Sequence, residues 1–244
     1  GGGWSLLRST PNAQLGSEAG SSLQGGNVTL TSTTDTIGSA ADYSTAAVIQ
    51  SVGGGGGVTG NALGNVTLGA SEVSGNLSSG SIRATLTGDA ITEGKNSAAM
   101  VVQTIAGGGG FGAEVTGDAV LGMTSSASGT ANAGSVTFTG NGDLALTKGI
   151  DAPAVVIQSI GGGGGWIGNV GGNATLGATQ IGSANAGSID ARVNFKAIQT
   201  TGSNSTGILA QAIGGGGGFT GSTTGNSLTL GGTIAGNSTS NAGD

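Results

Sequence analysis

The sequence predicts an all-β fold, a parallel β-helix, and three observations carry that expectation. An apolar strand followed by a run of glycines recurs along the chain, and the run starts at 53, 106, 161 and 214 are 53, 55 and 53 residues apart. A fixed period of that size marks an array of stacked units. Glycine supplies 56 of 244 residues, a composition that often leaves a chain disordered, yet Val, Ile and Leu fall between the glycines in ordered alternation. The apolar stretches are separated by Gly-, Asn-, Ser- and Thr-rich turns such as Gly75-Asn76-Leu77-Ser78-Ser79-Gly80 and Gly140-Asn141-Gly142.

Each repeat holds three strand-like landmarks. The first is the apolar strand before the glycines. Val48-Ile49-Gln50-Ser51-Val52 leads into Gly53-Gly54-Gly55-Gly56-Gly57, and Val101-Val102-Gln103-Thr104-Ile105 into Ala106-Gly107-Gly108-Gly109-Gly110. Val156-Ile157-Gln158-Ser159-Ile160 leads into Gly161-Gly162-Gly163-Gly164-Gly165, and Leu209-Ala210-Gln211-Ala212-Ile213 into Gly214-Gly215-Gly216-Gly217-Gly218. A bulky apolar residue closes each run, at Val58, Phe111, Trp166 and Phe219, and Gly1-Gly2-Gly3-Trp4 reads as the tail of an earlier copy. The second landmark ends in Leu-Gly, at Leu15-Gly16, Leu68-Gly69, Leu121-Gly122, Leu176-Gly177 and Leu230-Gly231. The third begins just after a glycine, at Val28, Ile82, Val136 and Ile189.

The spacing of these landmarks sets the expected coil. Gln50, Leu68, Leu86 and Gln103 follow one another at nearly equal steps, each of about 18 residues, a length that suits one β-solenoid coil. Each repeat of about 54 residues is therefore expected to divide into three turns of about 18, advancing roughly 14 Å, with about 60 Å for the chain. The fold is read as right-handed, as parallel crossovers are, ahead of a left-handed helix built on hexapeptides. One continuous solenoid is expected over 1–244, with repeats at 53–105, 106–160 and 161–213 and partial ones at 1–52 and 214–244.

Side-chain alternation assigns the faces. In Ile189-Asp190-Ala191-Arg192-Val193-Asn194-Phe195-Lys196, odd positions are apolar and even ones polar, and Ile82 to Thr87 and Val136 to Thr139 repeat the pattern. These strands turn one face to a core and one to water. The strand before the glycines is apolar on both faces, with Val48 and Val52 pointing one way and Ala47 and Ile49 the other, so both faces are expected to be covered.

A glycine within a strand costs about 0.5–1 kcal/mol relative to alanine, so a run of five needs a compensating reason. Two readings stand side by side: a solenoid corner that requires positive φ, and a bare backbone track against which another backbone or ring packs. The second admits either the same chain or a neighbouring copy. The runs, with Trp4, Val58, Phe111, Trp166 and Phe219, are the candidate packing and assembly residues. The aromatic residues either plug the local core or form an exposed stripe. On the short coil their rings would lie about 14 Å apart, too far to form a ladder.

Little in the chain suggests catalysis. Histidine and cysteine are absent, which removes the commonest general base and metal ligand and all thiol chemistry. No carboxylate pair recurs at a spacing suited to acid/base work, so no enzyme activity, cofactor or metal is expected. Asp35, Asp89 and Asp143 recur at intervals of 54, with Lys196 in the corresponding fourth place. They are read as turn caps, since a lysine would be costly in a shared calcium site. The Asn-x-Ser/Thr triplets at Asn27, Asn65, Asn76, Asn173, Asn204 and Asn237 are attributed to turn chemistry rather than glycosylation. The net charge of −6 without a basic patch speaks against nucleic acid and anionic membranes. No apolar stretch approaches the ~20 residues of a spanning helix. An ice-binding face ranks low, because the outward threonines show no regular ladder in the sequence.

The phrases Ala154-Val155-Val156-Ile157-Gln158-Ser159-Ile160 with its glycines, and Gly202-Ser203-Asn204-Ser205-Thr206-Gly207-Ile208-Leu209-Ala210-Gln211-Ala212-Ile213 with its own, resemble the repeats of large bacterial autotransporter passengers and related surface adhesins. The resemblance covers nearly the whole chain. It implies an extracellular β-helical stalk or fibre at a bacterial cell surface, and no stretch resembles that family's membrane barrel or export signal. The expected function is structural: a surface fibre or adhesin stalk that associates with copies of itself through the glycine tracks and apolar strands. A passenger that binds a host or abiotic surface without self-assembly is the alternative, and a β-helical polysaccharide enzyme the remote one. The chain is expected to be a segment of a longer protein.

Overall fold

In-register parallel pairing builds the molecule. The computed structural model describes residues 3–5, 12–16, 22–70, 75–123, 129–179, 182–232 and 239–244, all of them in strands, turns and connecting segments. Five parallel sheets run along the axis, and each repeat contributes one strand to each.

A long sheet comprises Val28–Ser39, Ile82–Thr92, Val136–Thr147 and Ile189–Thr200. A glutamine sheet comprises Ala47–Val52, Met100–Ile105, Val155–Ile160 and Ile208–Ile213. An aromatic sheet comprises Gly3–Ser5, Gly56–Ala62, Gly109–Val115, Gly164–Val170 and Gly217–Thr223. A fourth, ending in the Leu-Gly landmark, comprises Asn12–Leu15, Asn65–Leu68, Ala119–Leu121, Ala174–Leu176 and Leu228–Leu230. The fifth is short: Leu23–Gln24, Leu77–Ser78, Ala131–Asn132, Ala184–Asn185 and Ser240–Asn241.

The fold class is the parallel β-helix expected, but the coil is not. Gln50 pairs with Gln103, Gln103 with Gln158 and Gln158 with Gln211. Leu68 pairs with Leu121, and Val136 with both Ile82 and Ile189. Pairing thus joins residues one whole repeat apart, and each repeat is a single wide coil rather than three short ones. Five strands at about 4.8 Å give an axial length of about 20 Å, not 60 Å. The shorter spacing of the landmarks measures the distance from one side of a coil to the next.

A wide coil cannot be filled by one ring of inward side chains, so the chain folds a wall through its own middle. The glutamine sheet is that wall. On one face Ile49, Val102 and Ile157 pack with Ile82, Leu86, Val136 and Phe138 of the long sheet. On the other, Val101 and Val156 pack with Val58, Phe111 and Trp166 of the aromatic sheet. Met100 to Ile105 and Val155 to Ile160 are buried throughout, as expected of strands apolar on both sides. The aromatic sheet also closes a third cluster with the Leu-Gly strands, through Ile167 and Val170 against Leu68, Leu121 and Leu176.

Candidate functional site: the glycine corner

The glycine run connects the dividing wall to the aromatic sheet, and its conformation explains its composition. Gly54, Gly55, Gly56 and Gly57 have φ of 89°, 81°, 126° and 148°, and the second to fifth positions of the other runs repeat these values closely. A residue with a Cβ in the left-handed region costs roughly 1–2 kcal/mol, so four in succession require glycine. The first position has no positive φ, and there Ala106 replaces glycine with its methyl buried beside Met123 and Ala131.

The same corner is also a place of backbone contact. A Cβ on Gly55 would lie 2.7 Å from the Cα of Gly16, on Gly108 2.8 Å from that of Gly69, and on Gly163 2.9 Å from that of Gly122. The third position of each run therefore presses on the glycine of a Leu-Gly landmark one repeat earlier. Within each coil the two corners are joined by hydrogen bonds, Ala70 N to Gly54 O at 2.7 Å and Met123 N to Gly107 O at 3.0 Å. The positive-φ corner and the packed track are thus one feature. The track is covered by the chain's own coils: Gly107 to Gly110 and Gly161 to Gly165 are buried. In these inner coils the track therefore packs against the chain's own backbone.

Ladders accompany the corner, since one residue per coil occupies each register position. Gln50 Nε2 donates to Gln103 Oε1 at 2.6 Å, Gln103 to Gln158 at 2.5 Å and Gln158 to Gln211 at 2.7 Å. Phe111 and Trp166 stack with centroids 4.6 Å apart and planes at 20°. An aromatic stack exists after all, because register partners are one strand spacing apart. Val58 and Phe219 continue the column in register, as does Trp4, whose side chain lies outside the described residues. Phe111 and Trp166 are core plugs, with Trp166 fully buried.

Polar turn residues cap the coil above. Asn65 Oδ1 accepts from Asp118 N at 2.8 Å, Asp118 Oδ1 from Asn173 N at 2.7 Å, and Asn173 Oδ1 from Ser227 N at 3.0 Å. Asn27 and Asn76 act likewise on Ser81 and Thr130, which gives the Asn-x-Ser/Thr asparagines a structural role; Asn237 lies outside the described residues. Asp89 is a cap, accepting from Asp143 N at 2.8 Å and Leu144 N at 2.9 Å. Asp143 instead pairs with Lys196 at 2.7 Å across an exposed edge. Asp35 is displaced from strict equivalence, because the register shifts between Thr33 and Thr36 and puts Thr36 opposite Asp89.

The outward threonines also differ from expectation. Thr31, Thr85 and Thr139 form a column in register on the long sheet, ended by Arg192. Their alignment depends on a coil as long as the whole repeat, so it is invisible to a search at a third of that length. Lys95 reaches over the Tyr43 ring at 4.7 Å and lies 3.9 Å from Glu114. Among the described residues there is no group of three or more acidic residues placed to hold a metal ion, and no helix is long and apolar enough to cross a membrane. No family model, curated protein or solved structure matches the chain.

Proposed function

We propose that the chain is part of an extracellular structural shaft, a bacterial surface fibre or adhesin stalk. The observation that carries this reading is continuity. Every described coil makes the same backbone, glutamine and Asx bonds to the next, from Gln50 to Gln211 and from Asn65 to Ser227. Stability in such an array is a sum over neighbours, so length can be added without a new fold. The buried tracks leave outer faces and coil edges for contact with copies of the chain or with a host or abiotic surface. The Thr31–Thr85–Thr139 column favours a second reading, in which the long sheet's outer face binds a ligand.

Electron microscopy of the purified parent protein tests the shaft, with rods whose length scales at about 4.8 Å per repeat as the expected result. Antibody labelling of intact expressing cells tests location. Globular particles of fixed size, or labelling only after the cells are opened, would overturn the reading.

A further inference from the structure

One turn differs chemically from its neighbours. Between the long sheet and the dividing wall each coil makes a tight turn with a left-handed residue: Tyr43 (φ 60°), Asn96 (50°), Asp151 (52°) and Asn204 (56°). These turns lean over the aromatic sheet of the next coil. The Cβ that Gly168 lacks would lie 2.5 Å from Asn96 Oδ1, and the one Gly221 lacks 3.0 Å from Asp151 Oδ1. Glycine at 168 and 221 leaves the space that these side chains fill.

Backbone oxygens face the same spaces. The point over Gly168 also meets Ala113 O, and the point over Gly221 meets Gly168 O. Each side-chain oxygen therefore borders a space that a carbonyl oxygen also borders, and neither Asn96 Oδ1 nor Asp151 Oδ1 has a hydrogen-bond partner. Asparagine can resolve such a meeting by turning its amide and presenting N–H. Aspartate can donate there only when it carries a proton. Asp151 is only 7% exposed, and a buried carboxylate with an unpartnered oxygen is disfavoured against its neutral acid.

We infer that Asp151 is a proton-binding latch: protonation seats the turn over residues 149–153 against Gly221, and ionisation loosens it. Burial raises the affinity of this carboxyl for its proton, with the Asn204 amide opposing in part. Among the described residues Asn204 is the side chain that acts on it. The turns above and below present Ser203 and Ser205, and Asn96, all uncharged. Lys95 engages Tyr43 and Glu114 on the coil below, and Lys148 pairs with Glu93. In a chain without histidine, the usual physiological-pH switch, this position makes the third coil the acid-responsive one.

The sign follows from the direction of the shift. The folded form holds the proton more tightly than the unfolded chain, so stability at this site rises as pH falls toward the ordinary aspartate range near ~3.9. The test compares melting temperatures of the wild-type chain and Asp151→Asn from about pH 7 down to about pH 3.5, in buffer free of divalent cations. Asparagine is the residue its own column uses at 96 and 204, so the variant keeps the fold. The variant is expected to melt higher at pH 7, with the difference shrinking to nothing at the acid end. Amide-exchange protection of residues 149–153, read against the variant, is expected to rise on acidification in the wild type alone. A pH-independent difference, or a wild type more stable than the variant at pH 7, would overturn the latch. So would calcium chloride that raises the wild-type melting temperature at pH 7 but not the variant's, since that would make the site one for a cation.

Discussion

Adding one methyl at the centre of a glycine run tests the corner directly. Gly163 has φ of 83°, and its Cβ would lie 2.8 Å from Gly107 O, 2.9 Å from Gly122 Cα and 3.1 Å from Gly108 O. Gly163→Ala then incurs about 1–2 kcal/mol for the left-handed backbone and about 1–3 kcal/mol for forcing backbones apart. The sum, about 2–5 kcal/mol, is a large part of a stability of about 5–15 kcal/mol. At about 2–4 °C per kcal/mol for a chain of this length, the melting temperature should drop by about 4–20 °C. Gly161→Ala is the control, because Ala106 already occupies the equivalent position and φ there is not positive. Its Cβ would still lie 2.5 Å from Asn185 O and 2.6 Å from Asn185 C and N, so it carries the overpacking cost of about 1–3 kcal/mol without the left-handed one of about 1–2 kcal/mol. Circular dichroism melts of both variants decide the matter. Equal melting temperatures for Gly163→Ala and the wild type would show that the run is not held in this conformation.

Other perturbations reach the ladders and the surface. Gln158→Leu removes an acceptor for the buried Gln103 and a donor to the half-buried Gln211, and the one buried amide left unsatisfied, at about 1–3 kcal/mol, should lower the denaturation midpoint; an unchanged midpoint would mean that the ladder is not formed. Trp166→Ala empties a fully buried site stacked on Phe111 and should cost about 3–5 kcal/mol, measured by urea titration; a loss below about 1 kcal/mol would place the indole outside the core. A calcium chelator should leave the melting temperature unchanged, and a large drop would reveal a metal the acidic residues do not suggest. Trypsin should cut slowly at the exposed Arg83 and Arg192; rapid cleavage at Arg83, whose strand is bonded on both sides, would show a frayed strand.

Much of this molecule was legible in the sequence because its strands obey simple alternation. Ile82-Arg83-Ala84-Thr85-Leu86 shows its faces on inspection, and the doubly apolar Val101-Val102 segment announces that both its sides are covered. The coil length was not legible from spacing alone. Landmarks a third of a repeat apart are what three short coils would give, and also what one wide coil with three sides gives. The missed signal was identity at the longer interval. Gln50, Gln103, Gln158 and Gln211 recur once per repeat, with no glutamine in the same setting at the shorter step, and an amide in a buried strand needs a like amide one strand spacing away.

The glycine corner shows why its two readings could not be separated in the sequence. Positive φ and close approach both demand a missing Cβ, so composition is blind to which applies. The coil geometry makes them inseparable. To send a strand through the middle of its own cross-section, the chain must turn inward within a few residues after Ile160 and emerge at Trp166. A turn that tight, inside a filled core, meets backbone on its inner side, here Gly122 of the neighbouring corner. Side chains cannot fill the point where two corners touch without pushing the wall away from the sheets it supports. The glycines are therefore the condition for the dividing wall, and the wall lets a coil as long as a whole repeat hold a dry core. The Leu-Gly glycines answer a second contact at the same place: the next coil's run presses on the Cα of Gly16, Gly69 and Gly122, while a Cβ on Gly69 would lie 2.1 Å from Gly122 O and one on Gly122 2.4 Å from Gly177 O.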